Sequence, residues 1–559
     1  LKSASSRGEG EESIFAQVDE LSRAIAEGLS MNREKIEQAQ FQVSEMTTAS
    51  PEAYRLFIIA KERAENLDTE KGAEYLKKAI KIDPQFAMAY YTLGRAYLAA
   101  QKYSSARDAF FKAMELSSRA SDKEKLQIEA FYTMWVERNR ERATTILEEI
   151  VKKYPDDKWS HNDLGASLMF LGRFADAAKE LQESIRLDPE FGDALNWLGM
   201  AYHSLGEYEK AIETIKKYIT ITPGEPNPWD SLGYVYAEMG KIDEAIASYK
   251  EALKIKPDFF ISNHAVSYLY AFKEDYPTAL DSIDHYLSLD LPPERRADAC
   301  TWKGFCLYWL GRLRESLVAF HQAEEASRSA DWSLKGPFFA LQFQIYSDRG
   351  EFEVARRSVQ KFVDYSIELN PKRELGIVKV GDFLRGLCYV KEGRLDSARA
   401  KLKEMESLLR DVIAWEKEDL VENINFLKAE ICLAEDATEE ALSYVEKIVQ
   451  NPGFQNFQIF NFVWRNWRLW NEQRARVYWI NGDLDRAIAE YERLISPDPT
   501  KTNALIYPRY YYSLGRLYEQ KGWKDKARKQ YQRFLDLWKD ADPGMVEIED
   551  AITRLTRLQ

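Results

Sequence analysis

The sequence predicts an all-α solenoid of about 13 stacked helix pairs, and three observations predict it. The first is self-similarity at a fixed period, the mark of repeat architectures. Leu164-Gly165, Leu198-Gly199 and Leu232-Gly233 recur 34 residues apart. Each glycine is followed after three residues by Leu168, Tyr202 or Tyr236, after twelve by Ala177, Ala211 or Ala245, and after 24 by Pro189, Pro223 or Pro257. The second observation is helical period: Trp229, Leu232 and Tyr236 line one face of a first helix, and Ala245, Tyr249 and Ala252 the facing side of a second. The third is punctuation. Gly240 ends the first helix in a turn and Pro257 stops the second. Gly233 and Ala245 are small because the two helices cross closely there. One pair cannot bury both its faces alone, so stacked neighbours complete the core.

From the N-terminus, residues 1–12 are polar and rich in Ser, Gly and Glu. Residues 13–29 predict an amphipathic helix with the stripe Ile14, Phe15, Val18, Leu21, Ile25 and Leu29, which has no partner within its own segment. Ile36 to Ser44 alternates weakly, as a short strand would. Units then start at 53, 87, 124, 158, 192, 226, 260, 297, 336, 379, 422, 468 and 508. Unit 87 carries Tyr90, Leu93, Gly94, Tyr97, Ala106, Phe110 and Ala113; unit 508 carries Tyr511, Leu514, Gly515, Tyr518, Gly522, Ala527 and Tyr531. Units 336, 379 and 468 keep a turn glycine and a small residue: Gly350 and Ala355, Gly393 and Ala398, Gly482 and Ala487. Units 53, 124 and 422 are degenerate. Spacing is 34 to 37 through unit 297 and 39 to 46 beyond it, so the halves should differ in curvature. The expected division is an arm over 1–50, a regular array over 51–335, longer units over 336–541 and a capping helix over 542–559. Met545, Val546, Ile548, Ala551, Ile552, Leu555 and Leu558 form the apolar side of that cap.

The copy Trp229, Leu232, Gly233, Tyr236, Gly240, Ala245, Tyr249, Ala252, Pro257 resembles the tetratricopeptide repeat at every signature position. The resemblance implies a right-handed superhelix that binds partners along the concave face of its first helices. Glu12 to Leu29, followed by Ser50-Pro51-Glu52-Ala53-Tyr54, is similar to the end of the TolB-like modules that precede repeats in large bacterial signalling proteins. The body of such a module is missing and there is no initiator methionine, which fits either N-terminal processing or the C-terminal part of something larger. No signal peptide is visible; export is favoured over a cytoplasmic location on the reading that one was removed.

Composition narrows the chemistry. With 45% hydrophobic and 13% aromatic residues, the 559-residue chain buries a large core and is not disordered for most of its length. A balance of 78 basic against 91 acidic residues, net −13, argues against a broad nucleic-acid footprint. No apolar stretch approaches the length of a membrane span. His161, His203, His264, His285 and His321 form no H-E-x-x-H pair, and Cys300, Cys306, Cys388 and Cys432 no C-x-x-C spacing, so no metal is expected. Buried free thiols are the expected state of the cysteines. There is no phosphate-binding loop, dinucleotide fingerprint or nucleophile elbow, so neither a cofactor nor an enzyme is expected.

What remains is surface. The resemblance implies that positions 2, 5, 9 and 12 of each unit point inward. These are Trp159, Asn162, Ala166 and Met169; Asp193, Asn196, Met200 and His203; Asn227, Asp230, Tyr234 and Ala237; and Ile261, His264, Tyr268 and Ala271. Amides pair with an extended peptide backbone, and aromatics supply contact area at low entropic cost. No lysine occupies position 5, which disfavours the carboxylate clamp of chaperone-binding relatives. Phe454, Phe457, Phe460, Phe462, Trp464, Trp467, Trp470, Tyr478 and Trp479 form an aromatic cluster, read as core between enlarged units or as an exposed interface stripe. The expected function is a non-enzymatic scaffold for protein or peptide ligands. Self-association into a homo-oligomer would run through Ile14, Phe15, Val18, Leu21 and Ile25. The alternatives are a subunit polymerising into an extracellular filament or tube, and the partner-binding part of a larger bacterial signalling protein.

Overall fold

The computed structural model describes residues 48, 50–65, 69–100, 102–329, 335–369, 374–410, 414–448, 468–496 and 505–558. The expected arm helix over 13–29, the strand over 36–44 and the aromatic residues from Phe454 to Trp467 lie outside the described residues, as does the Trp470 side chain. Among the described residues there are 27 α-helices and no strand. They form thirteen consecutive pairs, from Pro51–Glu65 with Thr69–Ile82 to Arg509–Gln520 with Lys524–Leu537, and a last helix, Val546–Leu558. The degenerate units are helical too: Asp122–Trp135 pairs with Arg140–Lys153, and Ala414–Ala434 with Thr438–Val445. The chain divides into two compact units, residues 1–228 and 229–559.

Eleven of the thirteen pairs share a local device, a small residue at position 8 of the first helix with a large residue sixteen positions later, while units 124 and 336 carry Phe131 and Phe343 there. A Cβ on Gly165 would sit 2.6 Å from Leu181, and one on Gly515 2.7 Å from Tyr531. The turn between the helices needs a left-handed residue at position 15. Glycine supplies it at 172, 206, 240, 311, 350, 393, 482 and 522, all with φ between +73° and +81°. Units 53, 87, 124, 260 and 422 lack that glycine, and the position is among the described residues in the last three. There Arg138, Glu274 and Asp436 adopt φ of +58° to +60°, conformations that side chains resist. The turn geometry is imposed by packing even where the residue disfavours it.

In unit 1, each pair packs on its neighbour in sequence. Unit 2 does this and more: its last repeats fold back on its first. The Tyr276 hydroxyl and Trp309 Nε1 both donate to the Ile506 carbonyl, at 3.3 and 3.1 Å. Trp538 Nε1 donates to the Trp309 carbonyl at 2.9 Å, and Asp542 N to Gly311 O at 3.0 Å. Asp542 Oδ2 accepts from Arg314 N at 3.0 Å, and Arg533 pairs with Glu274 at 2.5 Å. Between these bonds the Tyr507 ring centroid lies 4.8 Å from Trp309 and 6.4 Å from Trp538. All three residues are buried. The seven units from 260 to 508 thus complete one closed circuit. The Val546–Leu558 helix packs on Lys524–Leu537 through buried Ala551 and leaves Val546 and Ile552 exposed.

Candidate functional site

In unit 1 the first helices carry an ion pair that spans two repeats. Arg95, on Ala87–Ala99, reaches Asp163, on Lys158–Phe170, with Nη1–Oδ2 at 3.0 Å and Nη2–Oδ1 at 3.2 Å. The same guanidinium donates to the Tyr91 hydroxyl at 3.2 Å and lies over the rings of Phe131 and Trp159, 5.1 and 5.4 Å from their centroids. Burial alone would disfavour the Arg95 charge, but Asp163 and Tyr91 outweigh it and hold the guanidinium charged. Burial raises the Asp163 pKa, and Arg95 works against that rise. A bidentate pair fixed between aromatic faces is rigid. It brings first helices two units apart within one side chain's reach, closing the inner face at this point.

The expected contact residues divide by depth. In unit 1, Trp159, Asn196, Met200 and Asn227 are half-buried, whereas Asn162 and His203 are buried. Trp159 sits edge-on to Phe191 at 4.5 Å. The Asn227 side chain meets the Tyr218 hydroxyl, whose pKa burial drives up and this bond draws down. In unit 2, Tyr234 is half-buried, and Asp230, His264 and Tyr268 are buried. Asp230 accepts from the Ser262 hydroxyl at 2.5 Å, and burial pushes its carboxyl up to about 7. His264 packs between Phe260 and Trp302, 5.9 and 5.4 Å between centroids, and burial lowers it to about 3. Tyr268 stacks on Trp302 at 5.6 Å. A depth of this kind makes core, not contact surface.

The other titratable groups are held structurally. His161 is clamped between Glu180 (Nδ1, 2.7 Å) and the Pro155 carbonyl (Nε2, 2.9 Å), and the bond to Glu180 raises its pKa. All four cysteines are buried free thiols, and burial pushes Cys300 up to about 11. Among the described residues no three His, Cys, Asp or Glu gather as metal ligands, and no helix is long and apolar enough to cross a membrane. Of the aromatic cluster, the side chains within the described residues are Tyr478, which is buried, and Trp479, which is half-buried. The residue that pattern reading passed over is Arg95. Its signal was an arginine at position 9, as at Arg476 and Arg516 in the last two units, where the units from 158 to 260 carry Ala166, Met200, Tyr234 and Tyr268.

Tetratricopeptide-repeat family models match residues 75–108, 162–226, 233–270 and 472–545. No curated protein matches the chain. Among solved structures it is similar to YrrB, described as a TPR protein with an unusual peptide-binding site. The identity is 22% over 34% of this chain and 98% of that one, with a TM-score of 0.24. It is also similar to MamA, at 21% identity over 35% and 94% of the two chains (TM-score 0.22). A third likeness is to MamA residues 41 to the end from Desulfovibrio magneticus RS-1, at 18% identity over 30% and 96% (TM-score 0.26). Among the described residues the chain is an all-α solenoid of paired helices, and it carries tetratricopeptide repeats in the matched segments.

Proposed function

We propose that this chain is a non-catalytic scaffold that holds an extended protein or peptide partner along the first helices of unit 1. One observation carries the reading. Trp159, Asn196, Met200 and Asn227 recur on three successive first helices and stay half-buried, while their neighbours Asn162 and His203 are buried. A row of amides and an aromatic at repeat spacing offers backbone hydrogen bonds and contact area to a strand-like ligand. The Arg95–Asp163 pair bounds this row, so the partner lies on its C-terminal side. The histidines support a non-enzymatic role, since packing engages His161 and His264. The test is a peptide array probed with wild-type protein and with Asn196→Ala/Asn227→Ala. Loss of a discrete set of bound peptides in the variant is expected, with the helical fold kept and stability lowered only by the lost Asn227–Tyr218 bond, about 1 kcal/mol. Unchanged binding overturns the reading.

Self-association is the second part of the proposal, with residues 1–50 joining copies. The motivating observation is the apolar stripe of Ile14, Phe15, Val18, Leu21 and Ile25. In unit 2 the last repeats are engaged by Trp309 and Gly311 of the same unit, which disfavours polymerisation through a free last repeat and leaves assembly to the arm. Light scattering with and without residues 1–50 tests it: a larger species only when the arm is present is expected, and a monomer in both removes it.

A further inference from the structure

Closure of unit 2 leaves a cavity of about 320 Å³. Its wall comes from four successive first helices, Glu374–Lys391, Ala414–Ala434, Arg468–Ile480 and Arg509–Gln520, and from Glu547 on the last helix. Three cations line it (Lys391, Arg476 and Arg509) and three carboxylates (Glu430, Glu472 and Glu547), with an apolar side at Leu387 and Val390. The charges are held in pairs. Arg476 meets Glu430 at 3.2 Å, Arg509 meets Glu547 at 3.0 Å, and Lys391 reaches out to Asp348 at 2.8 Å. Glu472 accepts from the Tyr491 hydroxyl at 2.9 Å, and Gln473 Nε2 donates to Glu430 at 3.0 Å. Arg509 also lies over Trp538, 5.1 Å from its centroid, which ties the wall to the closing contacts.

A ligand of one charge sign would leave half of this lining opposed to it. A ligand with both signs meets the lining without excess: its carboxylate takes N–H donors of Lys391 and Arg509, which carry three and five. Its ammonium takes Glu472, and a small side chain lies on Leu387 and Val390. The volume is at the low end for small-molecule sites, which sets the ligand's size. We propose that this cavity binds a short zwitterionic peptide with free termini. The site is separate from the unit 1 row and does not depend on that reading.

The experiment is calorimetric titration of the full chain with tri-alanine and with N-acetyl-tri-alanine amide, whose termini are neutral. Saturable binding of tri-alanine, and affinity about tenfold or more lower for the capped peptide, is expected from losing charge-assisted hydrogen bonds. Glu472→Gln, which keeps an oxygen for Tyr491, and Lys391→Met should each weaken tri-alanine about tenfold with melting within a few degrees of wild type. No heat with tri-alanine, equal affinity for the capped peptide, or full affinity in Glu472→Gln overturns the proposal. None of these outcomes bears on the peptide-array result, which reads unit 1.

Discussion

In residues 51–228 every helix pair leans on the next in sequence, and the longest described ion pair, Arg95 to Asp163, spans 68 residues. In residues 229–558 the same repeat packing is joined by bonds 197 to 259 residues apart. The two regions are built from one kind of unit, so repeat chemistry alone does not account for their difference. Closure comes from residues outside the repeat signature. Ile506 offers its carbonyl to two donors, Tyr507 fills the space between two tryptophans, and Asp542 caps Gly311 and Arg314. Stability in the first region should be a sum over neighbours, whereas in the second it includes a term that exists only when both ends meet.

That contrast can be broken at its strongest point. Trp538→Ala removes a buried indole and its bond to Trp309, and should cost unit 2 about 3–5 kcal/mol in chemical denaturation. A cost below about 1 kcal/mol would mean that the closing contacts are dispensable. The next effect is a pH dependence that Asp230 gives to unit 2. Burial raises the Asp230 carboxyl to about 7 in the folded protein, against about 4 in an unfolded chain. The folded state therefore holds this proton over a range where the unfolded state has released it. Stability associated with Asp230 is fully present below about pH 4 and is lost as pH rises toward 7, by up to about 4 kcal/mol. Asp230→Asn should flatten that slope in melting curves from pH 4 to 8; an unchanged slope would reassign it.

Two smaller effects sharpen the picture of unit 1. Arg95→Met strands Asp163 in a buried site and should cost about 2 kcal/mol, less than a fully buried pair because the arginine is 27% exposed. Its midpoint shift in urea should appear in unit 1 alone. Arg138→Gly relieves a left-handed arginine in an exposed turn and should stabilise by about 1 kcal/mol, read as a raised melting temperature. No gain there would mean that the turn carries no strain.

The repeat was legible because it is local. Glycine at position 8 and the large residue sixteen later are a steric pair within one unit, visible in Gly165 and Leu181 without any neighbour. Position 15 was legible where glycine marks it and illegible at Arg138, Glu274 and Asp436, where packing imposes the conformation on residues that resist it. Closure was hidden because Trp309, Tyr507 and Trp538 have no shared period. The contact row was read in part. Helical spacing gives the face on which Trp159, Asn162, Asn196 and His203 lie, but depth depends on how tightly successive units curl. That curl buried Asn162 and His203 while leaving Trp159 and Asn196 partly open.

The distinction between a region of neighbours and a region of joined ends has one direct measurement: native-state hydrogen exchange on Trp538→Ala, compared with wild type. Lost protection in Pro293–Trp309 and Leu313–Ala326, far from the substitution in sequence, with protection kept across residues 87–187, is the predicted result. Lost protection confined to residues 524–558 would contradict it.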